Sequence, residues 1–165
     1  MRIDVAGGWY HVSARGIERR EICRSDVDRG HWVSLLGELA GRFGLRVHGW
    51  VLMDNHYHLQ VETPEANLSR AIQWLNVAYA VWFNRKHGRV GPLFQGRFKA
   101  ELTDTDGWVA EVNRYIHLNP VRIEKLGLGK LGRAESSAGL RREPPAREVV
   151  SERLRRLREY RWSSC

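Results

Sequence analysis

His56 and His58 stand one residue apart at the head of HYHLQVET (56–63), a run that alternates strictly. His56, His58, Gln60 and Glu62 fall on one side, and Tyr57, Leu59 and Val61 on the other. The pattern predicts a half-buried strand with its polar groups on one face. Two imidazoles at i and i+2 then point the same way, close enough to chelate one ion. Taken alone, such a pair is more often two solvated surface histidines. Further along, Tyr115, Asn119 and Arg122 are spaced four and then three apart, which makes them one stripe of a helix. A tyrosine among polar neighbours on a helix raises the question of a chemical role, and its plain alternative is a packed ring with its hydroxyl at the surface. Asn119 directly precedes Pro120 and reads first as a helix stop.

The segments that must position these groups are legible as punctuated periodic runs. Residues 9–15 (WYHVSAR) have strand composition and end at Gly16. Ser25 is an N-cap for a helix whose stripe is Trp32, Leu35, Leu36, Leu39 and Phe43, stopped by Gly44. Residues 45–53 form a second strand, Asp54 and Asn55 a short turn, and 56–63 the histidine strand, ended by Pro64. Asn67 can cap a long helix with Leu68, Ala71, Ile72, Leu75, Tyr79, Trp82 and Phe83 inward, closing at Gly88. Residues 93–103 read as another strand, and 105–119 as a helix with Trp108, Val109, Val112 and Ile116 facing inward.

The order β-α-β-β-α-β followed by one more helix predicts an α+β fold. It is the ferredoxin-like, split β-α-β arrangement: an antiparallel sheet with helices on one face, plus the helix carrying Tyr115 and a short C-terminal helix over 148–161. Residues 1–123 form one predicted catalytic domain. Residues 124–165 are a linker, rich in Gly, Ala, Ser and Pro up to 147, and an Arg-rich C-terminal segment that packs on or next to the same domain.

At 165 residues the chain suits one domain, and its 42% apolar and 28% charged content excludes general disorder. Twenty-seven Lys and Arg against 19 Asp and Glu give a formal charge of +8, which favours an anionic partner such as nucleic acid. The run Arg85, Lys86, Arg89, Arg97 and Lys99 holds no acid between 85 and 100 and reads as phosphate-contacting, with a solvated loop as its alternative. Gln95 and Arg15 are candidates for base edges. Cys23 and Cys165 stand far apart with no CxxC, so neither a zinc site nor a disulfide framework is expected. No apolar stretch approaches the ~18 residues of a membrane span, and the expectation is a cytoplasmic protein with no membrane partner.

The segments VLMDNHYHL (51–59), GPLFQGRFKA (91–100), RYIHLNPVR (114–122) and YRWSS (160–164) together resemble the REP-associated tyrosine transposases, which belong to the single-tyrosine HUH transposases of prokaryotic insertion sequences. The resemblance runs from about Gly8 to the C-terminus and is weakest over 124–150. It departs at Asp54, where the family usually has proline, and at Tyr57, where the residue between the histidines is normally apolar. The resemblance implies that Tyr115 is a nucleophile and that His56, His58 and Asn119 hold a divalent metal, Mg²⁺ or Mn²⁺. Arg122 then accompanies the DNA contacts.

A phenol of pKa about 10 is a weak nucleophile and needs a polarised electrophile, which a metal-bound phosphodiester provides. The implied reaction is nicking and joining of single-stranded DNA at or near hairpins through a 5′-phosphotyrosine intermediate. That linkage conserves bond energy, so no nucleotide cofactor is expected, and the implied state is a monomer. Two other readings stay open from sequence: a domesticated, non-cutting binder of repetitive-element hairpins, and an unrelated metal-dependent hydrolase.

Overall fold

A computed structural model of the chain describes residues 4–103, 106–122 and 146–164. Its elements run β1 (Gly8–Arg15), a 3₁₀ turn (Ile17–Arg19), α1 (Asp26–Phe43), β2 (Arg46–Leu52), β3 (His56–Thr63), α2 (Leu68–Lys86), β4 (Lys99–Leu102), α3 (Asp106–His117), a 3₁₀ turn (Asn119–Val121) and α4 (Arg147–Glu159). The strands form one sheet in the order β2-β3-β1-β4, with every neighbouring pair antiparallel. This is the predicted α+β, split β-α-β topology.

The apolar side of the alternation builds the main core. Tyr10, Val12 and Ala14 of β1 and Tyr57, Leu59 and Val61 of β3 meet the stripes of α1 and α2, with Trp32, Leu39, Leu75 and Phe83 wholly buried. Tyr57 lies in this core with its hydroxyl donating to Asn76 Oδ1 at 2.8 Å. A smaller cluster, Val51, Val112 and Ile116, occupies the opposite face, so α3 covers the sheet on the histidine side and not with the other two helices.

Ser25 caps α1 as predicted, in a reciprocal box: Ser25 Oγ accepts from the Asp28 N–H, and the Asp28 carboxylate accepts from the Ser25 N–H. Asp28 has no solvent exposure and also receives the Arg24 N–H, Lys86 Nζ and His87 Nε2. Burial by itself would raise its pKa, but these donors outweigh that and hold it at about 2. One carboxylate thus joins the start of α1 to the end of α2. Asp28→Ala should destabilise the fold by about 3–5 kcal/mol, since it strands buried donors as well as removing a cap. Urea unfolding checks this, and a loss below about 1 kcal/mol would show that the network is dispensable.

Four expectations change. The strand predicted over 93–103 is confined to Lys99–Leu102. Upstream, Gly91 and Gly96 take positive φ and turn the chain, so that Leu93, Phe94 and Phe98 enter the core from a loop. Asn67 precedes α2 without capping it: its Nδ2 donates to the Phe43 carbonyl at 2.9 Å, and its Oδ1 accepts from no described residue. The last helix stops at His117, and Asn119 opens a separate 3₁₀ turn as Pro120 removes a donor. Trp108 is 51% exposed, since only Val112 and Ile116 of its stripe are buried against the sheet. The linker read over 124–147 lies outside the described residues except for 146 and 147. Beyond α4 the chain runs beside β2, where Leu52 N–H donates to the Trp162 carbonyl and Ser164 N–H to that of Trp50.

Candidate active site

β1 pairs with β3 so that His11 faces Gln60, Ser13 faces His58 and Arg15 faces His56. β4 adds Lys99 opposite Ser13 and Glu101 opposite His11. Directly opposed residues share a face, so the polar side of β3 is one strip of a larger polar surface. Gln60, wholly buried within it, is satisfied at both ends: its Nε2 donates to the Val109 carbonyl at 2.8 Å and its Oε1 accepts from Asn113 Nδ2 at 3.0 Å. These bonds set the register of α3 over the sheet. Two turns beyond Val109, the Tyr115 ring meets His58 edge-on, with centroids 5.3 Å apart.

The histidine tautomers follow from their partners. Asn55 Nδ2 donates to the Arg19 carbonyl at 3.1 Å, which leaves its Oδ1 facing His56 Nδ1 at 2.7 Å. An amide oxygen only accepts, so the proton sits on His56 Nδ1 and Nε2 keeps its lone pair. The Asn119 side chain, whose Nδ2 donates to the Tyr115 carbonyl at 3.4 Å, lies near His56 and opposes the lowering of its pKa. His58 Nδ1 lies 2.9 Å from His11 Nε2, and His11 Nδ1 lies 3.9 Å from Glu101 Oε2. With its proton drawn toward Glu101, His11 accepts from His58 Nδ1–H and leaves His58 Nε2 free.

All three rings are held neutral. Burial, then His56, His11, Arg15 and Arg122, push the His58 pKa down to about 2. Burial and Arg15 lower that of His56 against the opposing pull of Asn119 and Asp54. Burial lowers that of His11, with Glu101 opposing. Neutral imidazoles with oriented lone pairs and an adjacent amide fit a divalent ion that accepts mixed nitrogen and oxygen donors. Among the described residues no group of three His, Cys, Asp or Glu is placed to hold a metal.

The tyrosines separate by their hydroxyls. Tyr79 donates to the Ile22 carbonyl at 2.6 Å, Tyr160 to the Leu52 carbonyl at 2.6 Å and Tyr57 to Asn76, while Tyr10 accepts from the Val5 N–H. The Tyr115 hydroxyl alone makes no hydrogen bond to a described residue. Its ring is half-buried with the Arg122 guanidinium 3.9 Å from the centroid. Next to the histidines a cleft of about 410 Å³ is lined by Ser13, Ala14, Arg15, Arg19, His56, His58, Gln95, Arg97 and Lys99. Four cations therefore surround a space that opens on both imidazoles.

A family model described as "Transposase IS200 like" matches residues 4–119, from the start of the described chain through Asn119. This chain belongs to the IS200-like transposase family. Its fold is similar to that of a REP-associated tyrosine transposase solved bound to a REP hairpin, at TM-score 0.62 and 16% identity over 86% of this chain and 87% of the other. A putative transposase from Deinococcus radiodurans R1 is similar at TM-score 0.50 and 20% identity, over 70% of this chain and 93% of that one. No curated protein matches.

In this transposase the sequence candidates divide into two groups. Arg15, Gln95, Arg97 and Lys99 line the cleft and Arg122 covers Tyr115. Arg85, Lys86 and Arg89 do not join them. Arg85 and Lys86 end α2, which packs on the sheet's other face, and Arg89 follows it, with Lys86 on Asp28 and Arg89 5.7 Å from the Phe83 ring.

Sequence reasoning missed His11, Arg19, Asn55 and Glu101. Alternation through residues 9–15 already puts His11 on the side of Arg15, but only the pairing of β1 with β3 brings it to His58. Arg19 reaches the cleft through a loop in which Glu18 and Arg19 both take positive φ. Gly16 begins this loop because a Cβ there would collide with the Arg20 carbonyl oxygen. Asp54, unusual for the family, pairs with Arg29, and its carbonyl accepts from Ile22 and Cys23.

Proposed function

We propose that this transposase nicks and rejoins single-stranded DNA at or beside hairpins, with Tyr115 as the covalent nucleophile. The observation that carries the reading is the Tyr115 ring beside His58, with a hydroxyl that makes no hydrogen bond to a described residue, next to two neutral, oriented histidines. Bound by His56, His58 and Asn119, Mg²⁺ or Mn²⁺ would supply positive charge to a non-bridging phosphate oxygen. Tyr115 Oη forms a bond to phosphorus as the P–O3′ bond breaks, and the phenol's proton is balanced by the one the 3′-oxygen gains. Reversal by a second 3′-hydroxyl rejoins the strand without ATP.

Arg15, Arg19, Arg97 and Lys99 hold the flanking phosphates, and Arg122 places a further charge at the attacking ring. The hairpin is inferred from the structural relative that was solved with one. The chain acts as a monomer.

A hairpin oligonucleotide labelled in turn at each end tests the polarity. The 3′-end label should migrate with the protein in denaturing gels and the 5′-end label should not. Label transfer from neither end would leave a hairpin binder that does not cut.

Two further outcomes are expected. Arg97→Glu or Lys99→Glu should weaken single-strand affinity and reduce the salt slope by about one for each phosphate left without its cation; unchanged affinity and slope would mean the cleft does not carry the strand. His11→Ala removes the partner of His58 Nδ1 and should lower Mn²⁺ affinity about 10- to 100-fold while hairpin binding persists. Titration calorimetry with Mn²⁺ decides this, and an unchanged affinity would reduce His11 to packing.

A further inference from the structure

A second hollow, of about 390 Å³, opens at Tyr115 itself and shares no lining residue with the basic cleft. His11, Glu101, Trp108, Glu111, Val112 and Tyr115 form its walls, with Arg122 at the ring. Trp108 is 51% exposed and is the only aromatic among the large hydrophobic side chains exposed in the described residues. An indole left half in water beside Tyr115 presents a flat apolar face to that hollow, which suits an aromatic occupant. The charge of the hollow says which.

The basic cleft holds four cations and no acid. Here two carboxylates line the wall, Glu111 with both oxygens 2.8 Å from Arg114 Nη2 and Glu101 near His11. Paired carboxylates keep lone pairs for further donors. The sugar-phosphate chain follows the cationic cleft, and the hollow, whose two carboxylates are balanced by Arg114 and Arg122, suits a neutral, flat group that offers N–H donors.

We propose that this hollow holds the unpaired base of a nucleotide flanking the scissile phosphate. The base stacks on Trp108 and presents an exocyclic amine to Glu101 or Glu111. Adenine, cytosine and guanine carry such an amine and thymine does not, so the site discriminates against thymine at that position. The inference rests on the reading of Tyr115 as nucleophile, and it assigns Trp108 to substrate positioning and base choice.

The test combines Trp108 variants with substrates lacking one base. Once the cut is mapped, adduct formation is followed in single turnover on strands abasic at each flanking nucleotide in turn. Wild type should slow on the order of 10-fold at one of these positions, and Trp108→Ala should slow similarly on the intact strand. The two losses should not add, and Trp108→Phe should recover most of the rate. Thymine at the same position, which can stack but lacks the exocyclic amine, should slow the reaction less than the abasic site and more than adenine or cytosine.

Additive losses, or a Trp108→Ala rate equal to wild type, would overturn the pocket while leaving the nucleophile intact. An absence of any adduct in wild type would instead remove the nucleophile reading. The pocket is then judged by 2-aminopurine placed at each unpaired position in turn and read on binding to Tyr115→Phe protein. Quenching at one position that Trp108→Ala abolishes supports the pocket, and quenching independent of Trp108 at every position refutes it.

Discussion

Tyr115→Phe should lower covalent adduct formation by a factor on the order of 10³ or more, because it deletes the attacking atom. Its effect on stability should stay within about 0.5 kcal/mol: the hydroxyl makes no hydrogen bond to a described residue, and the ring with its Arg122 contact remains. Tyr57→Phe makes the complementary control. It removes the donor to Asn76 Oδ1 inside the main core and should cost about 1–2 kcal/mol of stability with the adduct yield unchanged. Tyr79, bonded to the Ile22 carbonyl, is equally withdrawn from chemistry. Mass spectrometry after nuclease trimming should find the nucleotide on the peptide bearing Tyr115. A nucleotide on Tyr57 or Tyr79, or an undiminished adduct in Tyr115→Phe, would overturn the assignment.

Excess EDTA, or alanine at His56 or His58, should suppress cleavage by a comparable factor, on the order of 10³, while hairpin binding survives. The two activities separate because the phosphate contacts proposed for Arg15, Arg19, Arg97 and Lys99 do not depend on the imidazoles. The pH dependence follows from the lowered pKa values. His56 and His58 both titrate below their ordinary 6.5, so they remain unprotonated and ready to coordinate at pH 6.5 and somewhat below. Mn²⁺ affinity should therefore stay nearly flat between pH 7.5 and 6.5, where ordinary histidine ligands would begin to lose the metal to protons. Full cleavage in EDTA would exclude a metal role, and an affinity that falls steeply from pH 7.5 would show that the rings are not held neutral.

Several features of this transposase could be read from sequence because they are local. The strict alternation of HYHLQVET sends both histidines to one side and Tyr57 to the other whatever the strand pairs with, and the structure keeps that separation. Ser25 and Gly44 mark the ends of α1 because a cap and a left-handed residue act within one turn of the chain. The order of elements was sufficient for the topology, since few sheets accommodate β-α-β-β-α-β with short connections.

Only tertiary structure decided the rest. A helical stripe shows that α3 has a buried side but not which face of the sheet it meets, and its docking by Val112, Ile116 and Gln60 on the histidine face is what brings Tyr115 to His58. Trp108 has the spacing of an inward residue but is half exposed and lines the hollow beside Tyr115, because only Val112 and Ile116 of its stripe are buried against the sheet. His11 and Glu101 join the site through the pairing of β1 with both β3 and β4, across about 50 and 90 residues of chain. Arg97 and Lys99 are parted from Arg85, Lys86 and Arg89 although all five form one basic run, because α2 ends on the far face and the chain must cross the edge of the sheet to begin β4. Periodicity and charge are written along the chain, but which strands are neighbours, and therefore which side chains share a site, follows from burying both faces of one sheet at once.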